Sequence, residues 1–212
     1  MIYLDNAATT RVCPEAAQAA LKVMTEDFGN PSSTHGPGRT ARTILKQARI
    51  DVAAAIGARP EELFFTSGGT EGDNWALRSG AKHMRHQGQH IISSAAEHDA
   101  VLKSLDLLAA DGWEVTRLSP GPDGSIHPED VLAALREDTV LVSLMLVNNE
   151  TGAVTDIAAV AKALKAAGSA ALLHTDAVQG FLKVPFTAKG LGADMITLSG
   201  HKVHAPKGVG AL

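Results

Sequence analysis

Short apolar runs alternate with longer amphipathic segments along most of this 212-residue chain. Runs that are apolar throughout are typical of strands covered on both faces, and their alternation with helical periods predicts an α/β domain with a mostly parallel sheet flanked by helices. The predicted strands span residues 62–66, 90–93, 114–118, 140–146, 171–175, 195–198 and 209–212.

Segments with a helical period fill the intervals between these strands. Ala17, Leu21 and Met24 follow Pro14 at helical spacing, and proline is well suited to a first helical turn. The other predicted helices span residues 41–56, 72–87, 98–110, 128–136 and 156–167. Residues 2–4 are a candidate short strand in a different layer, and residues 28–39, rich in Gly, Pro, Ser and Thr, are predicted to form an irregular loop near a site.

The composition is that of an ordinary soluble globular protein, with 45% hydrophobic and 20% charged residues. A net charge of −4 provides no basic field, so we expect neither nucleic acid nor an anionic membrane as a partner. No apolar run approaches the roughly 20 residues that span a bilayer, and the first residues lack the features of a signal peptide. The single cysteine, Cys13, excludes an internal disulfide and favours a reducing compartment, so we expect a cytoplasmic protein.

The first of five polar clusters is a glycine turn, residues 66–70, between a predicted strand and a predicted helix. Gly68 and Gly69 let the backbone approach an anion, the helix N-terminus attracts negative charge, and the Thr70 hydroxyl can donate a hydrogen bond. A tight strand-to-helix turn that Thr70 caps explains this segment equally well.

Four more polar clusters follow predicted strands. They are Glu97-His98-Asp99, the segment 148–152, Asp176 with Gln179, and Ser199-Gly200-His201-Lys202. Each alone has an ordinary explanation, such as a helix cap from Asp99 or Asp176, a turn, or a solvated lysine. Because the carboxyl ends of parallel strands meet in one crevice, five clusters at these positions favour a single site.

A lysine and an aspartate in such a crevice form the pair that pyridoxal 5'-phosphate (PLP) requires. The amine can form a Schiff base with the aldehyde of the cofactor, and the carboxylate can keep the ring nitrogen protonated. Lys202 and Asp176 are the candidates, with Gln179 near the ring oxygen and His98 able to stack on the ring or transfer a proton. The sequence therefore predicts a PLP site.

Six segments together resemble the cysteine desulfurases of the NifS/IscS type. They are residues 3–10, 66–74, 97–98, 148–152, 174–179 and 199–202, in this order. The interval of 26 residues between Asp176 and Lys202 is also similar to that family. The resemblance covers the whole chain and implies the large domain of a fold-type I PLP enzyme. It implies that residues 1–12 are an N-terminal segment associated with a small domain, that residues 13–212 are an incomplete PLP-binding large domain, and that the C-terminal small domain is absent.

The resemblance also implies a role for each candidate residue. Lys202 would hold the cofactor covalently and transfer protons, and His98 would stack on the ring and assist that transfer. Asp176 would pair with the ring nitrogen and Gln179 with the phenolic oxygen. The remaining implied contacts are Gly69, Thr70, Ser199 and His201 to the phosphate, and Asn149 to the substrate carboxylate or the ring hydroxyl. No metal is expected.

The implied reaction converts L-cysteine to L-alanine and passes persulfide sulfur to an iron–sulfur scaffold or another acceptor protein, in a homodimer. In the family, the nucleophilic cysteine and an arginine for the substrate carboxylate lie beyond the position of Leu212. Cys13 matches no catalytic position and is typical of a half-buried small residue at a helix start. We therefore expect an N-terminal part of a desulfurase that does not transfer sulfur alone.

Two other functions remain open on the sequence. A selenocysteine lyase, or another class V PLP enzyme, shares the lysine and the aspartate, and turnover of cysteine against selenocysteine separates it from a desulfurase. A catalytically dead module that binds a scaffold or a full-length subunit would keep the fold alone. Stable heterodimers without turnover would identify that module.

Overall fold

The computed structural model describes residues 2–212 as one seven-stranded sheet with helices on both faces. The strands are β1 Phe65–Thr66, β2 His90–Ser94, β3 Glu114–Leu118, β4 Thr139–Ser143, β5 Leu172–Asp176, β6 Met195–Ser199 and β7 Gly210–Ala211. The helices are α1 Pro14–Thr25, α2 Gly36–Ala55, α3 Gly69–Met84, α4 Asp99–Ala110, α5 Pro128–Ala134, α6 Ile157–Ala166 and α7 Ala188–Leu191. Two single 3₁₀ turns span Pro60–Glu62 and Gly200–Lys202.

The strand order is β1-β7-β6-β5-β4-β2-β3, and only β7 runs against the others. Strands β3, β2, β4, β5 and β6 pair in parallel, as in the register that places Leu141 beside Leu172. The mostly parallel α/β sheet predicted from the sequence is therefore confirmed. As a result, the chain leaves β1, β2, β4, β5 and β6 at the same edge of the sheet, which is where such sheets bind ligands.

The two faces of the sheet carry separate hydrophobic cores. Ile91 of β2 and Leu141 of β4 pack with helices α3 and α4, whereas the next residues, Ile92 and Val142, pack with α5 and α6. All four side chains are fully buried. Because successive side chains of a strand point to opposite faces, a strand covered on both sides is apolar throughout. This is the pattern that made the central strands recognisable in the sequence.

Several predicted boundaries differ from those of the structure. Strand β4 ends at Ser143, although Leu144, Met145 and Leu146 beyond it are buried. Their apolar character reflects burial in the core rather than membership of the regular ladder. Residues 2–4 form no strand. Strand β1 begins at Phe65 rather than at Glu62, because Glu62 belongs to the 3₁₀ turn Pro60–Glu62.

Helix α2 begins inside the segment predicted as a loop. It starts at Gly36, where the His35 side chain accepts a hydrogen bond from the Gly38 backbone N–H at 3.4 Å. Pro37 occupies the first turn, a position in which its missing N–H costs nothing. A glycine and a proline that are typical of loops thus form a helix start, and the irregular segment ends at His35.

Helix α1 has the predicted period but buries none of its residues. Its Leu21 and Met24 are 57% and 69% exposed, and Phe28 beyond it is 75% exposed. The residues that the structure describes therefore provide no apolar partner for this face. Among the same residues, 2–212, no helix combines the length and the apolar character needed to cross a membrane.

Candidate active site

A cavity of about 420 Å³ lies where β1 and β6 end and α3 begins. Its lining consists of Thr9, Ser67, Gly68, Gly69, Thr70, Glu71, Ser199, His201, Lys207 and Gly208. A side chain cannot replace the Gly69 hydrogen, because an added Cβ would lie 2.8 Å from Cγ2 of Val178. Next to it, Gly68 has open space around it and a φ of 154°. The two glycines therefore leave the backbone accessible at the start of a 16-residue helix.

The hydrogen bonding of this cavity suits an anion. Ser199 is 2% exposed, and its hydroxyl oxygen has no hydrogen-bond partner, a costly arrangement unless a ligand supplies one. The Nδ1 atom of His201 lies 3.1 Å from the Thr9 hydroxyl. Glu71 is the acidic member of the cavity, and its Oε2 accepts a hydrogen bond from the Ser67 N–H at 2.5 Å. A phosphate group would satisfy Ser199 and face the N-terminus of α3.

Lys202 lies in the 3₁₀ turn after β6 and reaches across to the N-terminal segment. Its Nζ donates to the carbonyl oxygens of Ala7 and Ala8, at 2.5 and 2.8 Å. Gln179 donates to the same Ala7 oxygen through Nε2 at 2.8 Å. Burial lowers the pKa of Lys202. A lysine amine with a lowered pKa is more readily deprotonated and becomes a nucleophile more easily.

Asp176 is the last residue of β5 and is 5% exposed. Its Oδ1 accepts a hydrogen bond from the Val178 backbone N–H at 2.8 Å. Burial raises the pKa of Asp176, and the Val178 N–H, His98 and Lys202 act in the opposite direction. Asp176 and Lys202 lie at the ends of the neighbouring strands β5 and β6, and His98 follows β2 at the same edge of the sheet. A cationic ring nitrogen beside Asp176 would favour its ionised form further.

His98 and Asn149 line a second cavity, of about 460 Å³, at the ends of β2 and β4. His98 caps α4, since its Nδ1 accepts a hydrogen bond from the Ala100 N–H at 3.1 Å. The alternative of Asp99 as the cap is wrong, because Asp99 pairs with Lys103 at 2.7 Å. The Asn149 amide donates to the Glu150 carboxylate at 2.8 Å.

The neighbouring Asn148 has a structural role. It is 8% exposed, and its Oδ1 accepts hydrogen bonds from the backbone N–H groups of Glu150 and Thr151, both at 2.9 Å. Its Nδ2 donates to the carbonyl oxygen of Ala96 at 2.8 Å. The turn interpretation of segment 148–152 therefore holds for Asn148, whose amide is fully hydrogen-bonded, while the neighbouring Asn149 also lines the cavity.

A buried polar layer lies behind Asp176. His174 is fully buried between Ser143 and Thr197, and each of its ring nitrogens lies 2.9 Å from one of their hydroxyl oxygens. Asp73 of α3 is 1% exposed, its Oδ1 has no hydrogen-bond partner, and this atom lies 3.7 Å from His174 Nε2. Burial lowers the pKa of His174 to about 3, and burial together with Asp176 raises the pKa of Asp73. Both pKa shifts favour the uncharged forms of these two groups.

Glu97 is a second buried acid near Asp176. It is 6% exposed, and its Oε1 accepts a hydrogen bond from the Met145 N–H at 3.0 Å, while Oε2 has no partner. Burial raises the pKa of Glu97 well above its usual value. Asp176, which receives opposing contributions from His98 and Lys202, is the member of this acidic group best placed to carry a negative charge.

The structure thus brings the predicted site residues to one edge of the sheet, and it adds residues that the sequence interpretation missed. Thr9 and Lys207 line the anion cavity, Lys183 contacts Gln179, and Asp73 lies behind Asp176. Lys207 follows Lys202 by five residues, but nothing in its sequence context separates it from a surface lysine. Among residues 2–212, no three His, Cys, Asp or Glu side chains are grouped so that they could hold a metal ion.

Comparison with known proteins shows the family to which the chain belongs. The family described as "Aminotransferase class-V" matches residues 2–212. Two relatives named "Cysteine desulfurase IscS", from Methanosarcina thermophila and Escherichia coli, are 44% and 45% identical over 211 and 214 residues. Each match covers 100% of this chain and 52% of the relative, so the chain spans about half the length of the curated relatives it matches.

Solved structures show the same fold. A "NIFS-LIKE PROTEIN" superimposes with a TM-score of 0.96 at 38% identity, covering 99% of this chain and 58% of that one. "SspA in complex with cysteine" gives a TM-score of 0.94 at 36% identity, covering 100% of this chain and 60% of that one. DndA from Streptomyces lividans is 49% identical with a TM-score of 0.85, and the match covers 99% of this chain and 58% of that one. The chain therefore belongs to the class-V aminotransferase family, among the homologues of the IscS and NifS cysteine desulfurases.

Proposed function

We propose that this chain is the PLP-binding part of a cysteine desulfurase that converts L-cysteine to L-alanine. The observation that carries the proposal is the placement of Lys202 in the turn after β6, next to the anion cavity, with the buried Asp176 at the end of the neighbouring strand β5. Relatives named as cysteine desulfurases, and a structural neighbour described in complex with cysteine, support L-cysteine as the substrate.

The residues present are suited to hold PLP. The hydroxyl of Ser199, with Thr70, His201 and the Gly69 backbone, would hold the phosphate group in the cavity at the N-terminus of α3. Asp176 would pair with the ring nitrogen, since a buried carboxyl next to a cation gains a partner for its ionised form. The cofactor supplies an aldehyde that condenses with a primary amine, and a ring that withdraws electrons from it.

The remaining residues orient the reactants and move protons. Lys202 would hold the cofactor and, once displaced by the substrate amine, would transfer protons next to it. His98 would stack on the ring, and its Nδ1 is engaged by the Ala100 N–H, which leaves Nε2 to exchange protons. Gln179 would donate to the phenolic oxygen of the ring. Asn149, at the border of the second cavity, would bind the substrate carboxylate or the ring hydroxyl.

Sulfur transfer needs a nucleophilic thiol in addition. Cys13, the single cysteine of the sequence, immediately precedes α1, and its backbone N–H donates to the carbonyl oxygen of His204. We propose that Cys13 is structural, that this chain does not transfer sulfur by itself, and that a thiol from outside residues 1–212 completes the reaction. In the complete protein, a homodimer in the cytoplasm, the sulfur would pass to an iron–sulfur scaffold or another acceptor protein.

The test is a titration of the purified chain with PLP, followed by its visible absorption spectrum. We expect the parent chain to develop the band of a lysine-bound cofactor and Lys202→Ala to develop none. Lys189→Ala is the matched control, because Lys189 is an exposed lysine on the short helix α7. Mass spectrometry after borohydride reduction should locate the cofactor on Lys202. A parent chain without an adduct, or an adduct that persists in Lys202→Ala, would contradict the proposal.

The substrate requires a separate measurement on the PLP-loaded chain. L-cysteine should change the visible spectrum because its amine displaces Lys202, whereas D-cysteine should have a much smaller effect. A response to L-selenocysteine with none to L-cysteine would instead indicate a lyase of the same family.

A further inference from the structure

A tight turn after β5 brings a second lysine to the site. Residues 178–183 form consecutive turns, and the backbone N–H groups of Lys183 and Val184 both donate to the Gly180 carbonyl oxygen at 3.0 Å. Leu182 adopts a φ of 55°, in the left-handed region that a bulky residue rarely occupies. Within these turns, the Nζ atom of Lys183 donates a hydrogen bond to Gln179 Oε1 at 3.0 Å.

The Gln179 amide is consequently held at both ends. Its Oε1 accepts from the Lys183 ammonium, and its Nε2 donates to the Ala7 carbonyl oxygen at 2.8 Å. An ammonium can only donate and a carbonyl can only accept, so a 180° flip of the amide would place donor against donor and acceptor against acceptor. The N–H edge of Gln179 therefore faces the Ala7 oxygen that also accepts from Lys202.

We propose that Lys183 is a positioning residue of the Lys202 site. It fixes the N–H edge of Gln179 toward the Ala7 oxygen that Lys202 also contacts, and its ammonium adds a second positive charge to this group of contacts. The inference rests on the proposed function, because it assumes that PLP binds at Lys202. The side-chain hydrogen bond of Lys183 goes to Gln179, so Lys183 acts through Gln179 and through its charge.

The charges that face Lys202 determine what the loss of Lys183 would do. Burial and then the Lys183 ammonium lower the pKa of Lys202, while Asp176 and Asp5 act in the opposite direction. His201 is adjacent to Lys202 in the chain, and burial, Lys202, Lys207 and Lys183 lower its pKa in turn. Only the neutral amine attacks an aldehyde, so a nearby cation increases the reactive fraction of Lys202 at neutral pH.

The experiment compares three variants with the parent chain. Lys183→Met removes the charge and the donor, Lys183→Arg keeps both, and Lys189→Met removes an exposed lysine that makes no side-chain hydrogen bond or ion pair in the structure. The rate at which PLP condenses with Lys202 is followed through the visible band from about pH 6 to about pH 10. The urea midpoint of each variant shows that it is folded.

We expect Lys183→Met to condense about three- to tenfold more slowly at neutral pH and to shift the pH–rate profile to higher pH. Lys183→Arg should recover most of the rate, and Lys189→Met should match the parent. A merely structural role of Lys183 would change the urea midpoint and leave the profile in place.

The possible failures are distinguishable. A parent chain that forms no adduct on Lys202 contradicts the proposed function and the inference together. A parent chain that forms the adduct, with a Lys183→Met profile that coincides with that of Lys189→Met, overturns the inference alone.

Discussion

Substitution of Asp73 by asparagine should make the protein more stable at neutral pH. Asp73 is 1% exposed, its Oδ1 has no hydrogen-bond partner, and its neighbour His174 is uncharged at neutral pH because burial lowers the His174 pKa to about 3. Burial, reinforced by Asp176, raises the pKa of Asp73 well above 3.8. The native state therefore keeps a proton on Asp73 at pH values at which the unfolded chain has released it.

The sign and the magnitude follow from this proton. Where the folded state binds more protons than the unfolded state, the free energy of unfolding falls as pH rises, by about 1.4 kcal/mol per pH unit for one group. The fall begins near the unfolded pKa, at about pH 4, and stops once the pH exceeds the native pKa. Asparagine has the same shape and no proton to lose. The free energy of unfolding of Asp73→Asn should therefore exceed that of the parent by about 1.4 kcal/mol more for each pH unit between about pH 4 and the native pKa of Asp73.

Urea unfolding of both proteins at a series of pH values measures this difference directly. Subtracting the two curves removes the contributions of the acids that do not interact with Asp73. Asp111→Asn is the control, because Asp111 is an exposed residue at the end of α4, and its difference from the parent should stay within about 0.5 kcal/mol at every pH. An Asp73→Asn difference that is flat, or that favours the parent as pH rises, would mean that Asp73 is ionised in the folded protein and would refute the reasoning.

Two further substitutions test the backbone at the edge of the site. Gly210→Ala should strongly destabilise the protein, by several kcal/mol, because the new Cβ would lie 2.6 Å from the Leu198 carbonyl oxygen and 2.8 Å from the Gly68 backbone, neither of which can move aside. A thermal midpoint equal to that of the parent would be incompatible with this packing. Leu182→Gly should raise the free energy of unfolding by up to about 1 kcal/mol, because glycine relieves a φ of 55° and the lost side chain is 66% exposed. A lowered urea midpoint would show that the Leu182 side chain stabilises the turn more than its backbone strains it.

The regular elements of the fold were predictable wherever one physical cause governed the sequence. Strand β3 and the start of α1 at Pro14 coincide with their predictions, since the β-branched Val115 and Thr116 favour an edge strand and a proline favours the first helical turn. Predictions failed where two causes give the same residues. The apolar residues 144–146 are buried without belonging to β4, and the Gly-Pro pair before residue 38 begins a helix instead of continuing a loop.

The candidate site divides in the same way. Five site residues were identifiable because each ends a strand or follows one within four residues: Lys202, Asp176, Gln179, His98 and Ser199. The carboxyl ends of parallel strands lie at the same edge of a sheet, so these residues were expected to lie together. Asp73 was not identifiable, because its position in α3 is that of any polar helix residue until the helix packs on β5 and β6. The roles assigned to these residues stay predictions until the cofactor titration is done.

The sequence by itself determined the order of the elements, the mostly parallel sheet and the set of polar groups available at its edge, because these depend on periodicity and on local backbone preference. Tertiary structure alone decided which of those groups are buried, charged and in contact. The raised pKa of Asp73 beside Asp176 and the contact of Lys202 with Ala7 each join residues from different parts of the chain. Burial and electrostatic interaction depend on distance in space, and local sequence patterns do not contain those distances.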